Sequence, residues 1–129
     1  MGDSSVLVDR SILIAHFRRP SGSHLLRALE KFDELCVSVI TVFEVELGGR
    51  IAGRQSDLAR VLPGVTVLPV TQGTVECALD IVIELRRRRR SIELKDLFVA
   101  ATAREHGLPL LTANPAHFQD IEGLKLASV

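Results

Sequence analysis

Three acids and one amide occur where predicted strands end or predicted helices begin. They are Asp9, Glu44, Asp96 and Asn114. Carboxylates that meet in one cleft repel one another, and the charged form of each is disfavoured unless a cation compensates. Mg²⁺ suits such a site because it accepts one or two carboxylates, keeps several waters and completes its shell with substrate phosphate oxygens. These residues therefore predict metal-assisted phosphodiester hydrolysis as the reaction class.

Other residue types do not offer an alternative centre for the chemistry. The four histidines show no HExxH or paired spacing, and no G-x-S-x-G motif or glycine-rich phosphate loop occurs. Cys36 lies in an apolar, strand-like run and Cys77 on a predicted helix, without the spacing of metal ligands. We expect both cysteines to be buried thiols.

The elements that must position the four residues alternate between strand and helix. The predicted strands are residues 6–9, 36–40, 65–70 and 108–112, with 124–127 as an edge strand. The predicted helices are residues 11–17, 25–32, 41–50, 52–62, 71–90 and one that begins near Ser91. Such alternation predicts a mostly parallel sheet with helices on both faces, whose ligands bind beyond the carboxyl ends of the strands. We expect the four polar residues at that edge.

The helix that carries Asp96 is predicted from apolar residues at three- and four-residue spacing, namely Leu94, Leu97, Phe98 and Ala101. Gly107 is expected to end it in a left-handed conformation. Glu44 has an alternative interpretation, because Thr41 and Glu44 have the T-x-x-E spacing of a capping box at a helix start. Asn114 likewise has one as a turn residue before Pro115.

Composition limits the class of protein. With 129 residues and 47% apolar content, the chain is expected to form a single domain over residues 1–129. No apolar run approaches the roughly 18 to 20 residues that cross a bilayer, and residues 1–8 lack the basic start of a leader, so we expect a soluble, cytoplasmic protein without membrane contact.

The 16 basic and 16 acidic residues cancel, so any contact with nucleic acid must be local. Residues 86–90 are five arginines, which are either a solvated helix end or a surface that an RNA backbone or an acidic partner neutralises. Arg10, Arg18 and Arg19 are expected nearer to the acidic edge, where they would contact phosphate.

Four segments, in this order, resemble the motifs of PIN-domain proteins of the VapC type, the toxin half of toxin–antitoxin pairs. They are VLVDRSILIA around Asp9, SVITVFEVELGG around Glu44, IELKDLFVAATA around Asp96 and HGLPLLTANPAHF around Asn114. The resemblance implies a three-layer α/β/α sandwich and a Mg²⁺- or Mn²⁺-dependent endoribonuclease. It also implies that Asp9, Glu44 and Asp96 are the acidic metal ligands. As partners it implies an RNA substrate, a cognate VapB-like antitoxin that inhibits the enzyme, and a second copy in a homodimer.

The chain departs from the family pattern at two places. Arg10 follows the first acid where a small hydroxyl residue is usual, although Ser11 keeps the next polar position. Asn114 and His117 occupy the positions of a fourth acid, so we predict a weaker metal site that holds one ion rather than two. Asp120 is an alternative fourth acid if its loop folds back.

The alternative function is a non-catalytic or weakly catalytic PIN-like module that binds RNA or protein. An unrelated α/β domain of the receiver or phosphatase kind is disfavoured, because Asp9 is not part of a D-x-D pair.

Overall fold

The computed structural model of the protein describes residues 4–54 and 57–129. In chain order its elements are β1 (Ser5–Val8), α1 (Arg10–Arg18), α2 (His24–Lys31), β2 (Glu34–Ser38), α3 (Val39–Ile51), α4 (Asp57–Val61), β3 (Thr66–Leu68), α5 (Gln72–Arg87), α6 (Leu94–His106), β4 (Leu110–Leu111) and a 3₁₀ turn (Pro115–His117). No helix within the described ranges is long and apolar enough to cross a membrane.

The strands form one parallel sheet in the order β3-β2-β1-β4. β1 and β2 pair in register from Ser5 opposite Glu34, and β1 pairs with β4 on its other side. The predicted edge strand 124–127 is reduced to one parallel bridge between Leu126 and Leu110. The predicted parallel α/β sheet is therefore confirmed, and all its strands end at one edge.

Helices cover both faces of this sheet, and each face has its own apolar core. Along β1, Val6 and Val8 point into the core beneath α1, α2 and α3, whereas Leu7 points into the core beneath α5 and α6. The same alternation follows β2, where Val37 and Cys36 take opposite faces, as the two-residue period of a strand requires. The result is the three-layer α/β/α sandwich that the resemblance implied.

The cysteines behave as apolar residues. Cys36 is buried, and desolvation followed by the charge of Glu34 raises the pKa of its thiol to about 11. Cys77 is half-buried, and desolvation again raises its pKa. Because the thiolate is the reactive form, neither residue is activated. The prediction of a buried thiol is confirmed for Cys36, and only partly for Cys77.

The boundary between β2 and α3 differs from the prediction. β2 ends at Ser38, whose hydroxyl accepts from the amide of Ile40 at 3.1 Å and so caps α3 three residues earlier than expected. The capping-box interpretation of Thr41 and Glu44 is therefore wrong. Thr41 is buried, and its hydroxyl has no hydrogen-bond partner within the described ranges. The β-branched run after Ser38 favours a strand locally, but packing and the serine cap make it helical.

Helices α5 and α6, which cover the other face of the sheet, follow the prediction more closely. Thr71 caps α5 in a capping box with Thr74, although α5 ends at Arg87 and not at residue 90. α6 ends at Gly107, which has the expected left-handed conformation with φ 64°. Leu94 was predicted to be on the apolar face and is 66% exposed, because α6 instead buries the face of Leu97 and the alanines that follow.

The predicted helix over 52–62 is shorter in the structure. Only α4 is helical within that range, and residues 55–56 lie outside the described residues.

A pair of glycine substitutions tests these backbone assignments. Gly107→Ala should lower the free energy of unfolding by about 1 to 2 kcal/mol, because a Cβ is disfavoured in the left-handed region. Gly48→Ala, within α3 where an added Cβ meets no atom within 4 Å, should raise it by about 0.5 to 1 kcal/mol. Urea denaturation of both variants gives the two values. Equal effects of the same sign would contradict the left-handed assignment.

Candidate active site

The sheet edge at which the strands end carries the polar residues that the sequence singled out. Asp9 follows β1 directly, Asp96 lies in the first turn of α6, and Asn114 follows β4 and precedes the 3₁₀ turn. Glu44 lies on α3, in the second turn after its serine cap. The parallel topology therefore brings the predicted residues to one edge, as expected.

Asp9 is the most constrained member of the site. It is only 7% exposed and occupies the N-cap position of α1, yet its carboxylate makes no cap hydrogen bond to that helix. Oδ2 instead accepts hydrogen bonds from Ser11 Oγ at 2.7 Å and Thr112 Oγ1 at 2.8 Å. Two hydroxyl donors from separate elements hold this oxygen in one position, and no bond to Oδ1 occurs within the described residues.

Backbone amides beyond β4 hold the two hydroxyl groups in turn. Ser11 Oγ accepts from the amide of Ala113 at 2.9 Å, and Thr112 Oγ1 accepts from the amide of Asn114 at 3.0 Å. Each hydroxyl thus accepts a hydrogen bond from a backbone amide and donates one to Asp9. This network fixes the direction of both hydroxyls and ties the loop after β4 to the end of β1.

Asp96 lies close enough to Asp9 for their charges to interact. Its side chain is 22% exposed, and His117 Nδ1 lies 3.2 Å from Oδ2. Desolvation is the main cause that raises the pKa of Asp96, and the negative charge of Asp9 raises it further. His117 opposes both effects and lowers it. A carboxylate whose charged form is disfavoured by burial and by a second carboxylate is a group that a divalent cation stabilises.

Glu44 forms an ion pair with a lysine. Its side chain is 13% exposed, and Lys95 Nζ lies 3.3 Å from Oε2. Within residues 4–54 and 57–129, no group of three or more His, Cys, Asp or Glu side chains is arranged so that it could hold a metal ion. The structure therefore brings Asp9 and Asp96 together and leaves Glu44 beside them, paired with Lys95.

Asn114 takes part in the site through its backbone. Its amide is one end of the hydrogen-bond network to Asp9, and the residue itself is exposed at the start of the 3₁₀ turn. The alternative interpretation of Asn114 as a turn residue thus fits its conformation. His117, three residues later, is the residue of this turn that reaches Asp96.

Of three residues whose side chains contact the acids, two could be placed near the site from the sequence and one could not. Ser11 is two residues from the first acid, and Thr112 is the last residue of the predicted strand 108–112, so their positions in the sequence place both near the edge. Lys95 precedes Asp96 directly, and nothing in that spacing indicates that its side chain reaches α3.

The predicted contacts of the arginines with the acidic edge hold only in part. Arg10 is exposed and adjacent to Asp9. Arg18 and Arg19 lie at the far end of α1, about 13 Å along the helix from Asp9, and line a separate groove with Gly22. The expectation that these two contact phosphate at the acidic edge is wrong, because α1 leads away from the sheet edge.

Asp120 does not replace the missing fourth acid. Its carboxylate pairs with Arg90, with Oδ2 3.0 Å from Nε.

Comparison with known proteins identifies similar chains over nearly the whole length. The sequence profile of the PIN domain matches residues 6–124. Ribonuclease VapC10 of Mycobacterium tuberculosis is 34% identical over 121 residues, which are 93% of this chain and 90% of that protein. Ribonuclease VapC1 of Methanocaldococcus jannaschii is 28% identical over 127 residues, 96% of this chain and 88% of that protein.

Solved structures have the same fold. One is the crystal structure of VapBC2 from Rickettsia felis bound to a DNA fragment of its own promoter. It matches with a TM-score of 0.84 at 19% identity, and the match covers 95% of this chain and 97% of that one. A toxin–antitoxin complex from Klebsiella pneumoniae matches with a TM-score of 0.74 at 27% identity, covering 92% and 94%.

The raised pKa of Asp96 predicts a dependence of stability on pH. A carboxyl group whose pKa is higher in the folded state binds its proton more tightly there, so its ionisation destabilises the fold. In EDTA, Asp96→Asn should therefore be more stable than the wild type at neutral pH. The difference should shrink as the pH falls through the raised pKa, and vanish below the ordinary value of 3.8.

Urea denaturation between neutral and acid pH measures this effect. Asp33→Asn is the matched control, because Asp33 is exposed and precedes β2 at the opposite edge of the sheet. A wild type that is the more stable protein at neutral pH would contradict the predicted repulsion.

Proposed function

Because this chain belongs to the PIN-domain family and, within it, to the VapC ribonucleases, we propose that it is a metal-dependent endoribonuclease toxin that a cognate antitoxin inhibits. The substrate of this enzyme is RNA, and the reaction is hydrolysis of a phosphodiester bond. The observation that carries the proposal is the pair formed by Asp9 and Asp96. Asp9 disfavours the charged form of Asp96, and Asp96 lines a groove in which phosphate chemistry would need a cation.

The donor set fits Mg²⁺ or Mn²⁺. Hard cations of this kind prefer oxygen ligands, and Mg²⁺ is commonly bound by one or two carboxylates with waters and substrate phosphate in the remaining positions. Asp9 and Asp96 supply two such carboxylates, and we assign Glu44 as the third acid once Lys95 pairs elsewhere. The chemistry that such an ion supplies is polarisation of the phosphoryl group and activation of a water molecule.

The protein's own residues prepare this site for an anionic substrate. Ser11 and Thr112 hold Oδ2 of Asp9, and no hydrogen bond within the described residues engages its other oxygen. Asp96 lies at the first turn of α6, where the helix dipole favours a negative charge. Lys95 and His117 place positive or hydrogen-bonding groups beside the acids, and both are exposed enough to contact an RNA phosphate.

Asn114 has a supporting role in this proposal. An amide side chain adds a neutral oxygen to the edge but no charge, so the site has fewer anions than one with a fourth acid. Weaker metal affinity, with one ion rather than two, follows from that difference.

Cleavage of RNA by the purified protein, freed of any bound partner, tests the proposal. Wild-type protein with Mg²⁺ or Mn²⁺ should cleave cellular RNA, and EDTA should abolish cleavage. Asp9→Asn and Asp96→Asn should each lower the rate by roughly 100-fold or more, since even the outer partners of metal ligands contribute 10- to 100-fold. Asp33→Asn, outside the cleft, should cleave like the wild type. Calorimetric titration with Mn²⁺ should show weaker binding for both site variants.

The alternative function has its own supporting observation. Glu44 is paired with Lys95, and no three-acid group forms within the described part of the chain. A module that binds RNA without cutting it would give RNA affinity in a gel-shift assay and no metal-dependent products. Cleavage that persists in Asp96→Asn would instead indicate a contaminating nuclease and contradict the proposed site.

The partners of the proposed toxin are an antitoxin and a second copy of the chain. The similar structures include complexes of VapB with VapC and a toxin–antitoxin complex, which supports a VapB-like partner. α3 has apolar side chains that are exposed in the free chain, namely Val39, Phe43, Leu47 and Ile51. Such a surface is typical of a protein interface.

Coexpression tests this part of the proposal. Expression of the chain alone should arrest bacterial growth, and coexpression of its cognate VapB-like antitoxin should restore growth and yield a stable complex. Light scattering of the purified chain should give twice the mass of 14.1 kDa. Growth arrest by Asp96→Asn as strong as by the wild type would contradict a toxic nuclease activity.

A further inference from the structure

A groove of about 440 Å³ extends from Asp96 along the connection between α5 and α6. Asp96 and His117 line one part of it, and Arg89, Arg90 and Asp120 line another. The groove therefore joins the proposed reaction centre to the run of five arginines. The sequence alone left that run open between a solvated helix end and a binding surface.

Two of the five arginines hold the walls of the groove together. Arg90 pairs with Asp120, and Arg88 pairs with Glu122 while also donating to the backbone oxygen of Asp120 at 2.9 Å. These bonds connect the segment after α5 to the segment after the 3₁₀ turn. The charges of Arg88 and Arg90 are thus compensated within the protein.

The backbone is unusual at the same place. Among the described residues, the non-glycine residues with positive φ are Arg89, at 57°, and Asp120, at 74°, and both line this groove. A side chain in this region raises the local free energy, and such residues concentrate at functional sites. The ion pairs of Arg88 and Arg90, on either side of Arg89 in the chain, hold Arg89 in this conformation.

Arg89 keeps an uncompensated charge beside the cleft. No carboxylate within the described ranges forms an ion pair with it, although Asp96 and Glu93 line the same groove. The helix dipole does not explain its position, since Arg86 and Arg87 already occupy the last turn of α5 and Arg89 lies beyond the end of the helix. A guanidinium at this point offers a fork of donors that matches two oxygens of one phosphate.

We propose that this groove binds the RNA strand next to the scissile bond and that Arg89 holds one phosphate of that flanking strand. The assignment rests on the proposed ribonuclease function and extends it to a substrate-binding subsite. Arg89 offsets the repulsion between the acidic centre and the RNA backbone at a position one or more nucleotides away. Its contribution therefore depends on substrate length.

The test compares Arg89→Gln, Arg89→Lys and Arg87→Gln with the wild type. Arg87→Gln is the matched control, because Arg87 is an exposed arginine of the same run that does not line the groove. Cleavage is measured with a single-stranded RNA of about 12 nucleotides and with a dinucleotide that contains only the scissile phosphate. Binding of the labelled 12-mer is measured by fluorescence anisotropy at several salt concentrations, without divalent metal.

Arg89→Gln should raise KM for the longer RNA about 10-fold with little change in kcat, and leave cleavage of the dinucleotide unchanged. The slope of log K against log salt should become shallower by about 0.7, the value for one phosphate contact on a single strand. Arg89→Lys should restore most of the affinity, and Arg87→Gln should behave like the wild type.

Other results would overturn the assignment. Equal losses for both substrates indicate damage to the reaction centre, and equal losses for Arg89→Gln and Arg87→Gln indicate a general charge effect. Unchanged RNA binding by Arg89→Gln together with lost binding to polyglutamate would instead assign the groove to an acidic protein. A wild type that cleaves neither RNA, but binds the 12-mer through Arg89, would refute the ribonuclease function and keep the subsite.

Discussion

The proximity of two carboxylates at the end of the sheet is the constraint on which the rest of this structure depends. Asp9 and Asp96 come from elements far apart in sequence, and the negative charge of Asp9 disfavours the charged form of Asp96. The fold accommodates them because Asp9 accepts two hydroxyl hydrogen bonds and His117 lies beside Asp96. Without a compensating cation the charge of Asp96 beside Asp9 destabilises the folded chain, and the proposed function assigns that cation and a substrate phosphate to this pair. The same repulsion thus links stability to the proposed activity.

The parallel sheet and the segments around it determine which groups border the two acids on each side. β1 and β4 are neighbours, so the loops that follow them meet, and the hydroxyls of Ser11 and Thr112 bridge the two ends. On the other side of Asp96, ion pairs from the arginine run close the groove toward α5. The acidic centre therefore opens toward one remaining guanidinium, that of Arg89. In the proposed function, this arrangement provides the path of the RNA strand across the site, although the chain as a whole has no net positive charge.

Much of the fold and part of the site could be predicted from local pattern. The alternation of strands and helices, the stop at Gly107 and the cap at Thr71 depend on residues close together in sequence, and the structure has all of them. The cap of α3 was predicted wrongly because Ser38 and Thr41 are both good caps, and the choice between them depends on where β2 stops pairing. Arg18 and Arg19 were misplaced because the direction of α1 is a property of packing.

The sequence by itself determined which residue types reach the carboxyl edge, since a strand that ends in an acid must present that acid there. It therefore predicted Asp9 at that edge, and the helix that leads into the next strand predicted Asp96 there. Together these acids favoured metal-assisted phosphodiester hydrolysis as the reaction class. Only the tertiary structure decided how these groups are paired: Thr112 with Asp9 across 103 residues, Lys95 with Glu44, and Arg88 and Arg90 with the segment that carries Asp120 and Glu122. The physical reason is the separation in sequence over which each kind of interaction acts. Helix and strand preferences act within a few residues, whereas a hydrogen bond or ion pair needs two distant side chains within about 3 to 4 Å, and only the packed chain sets that distance.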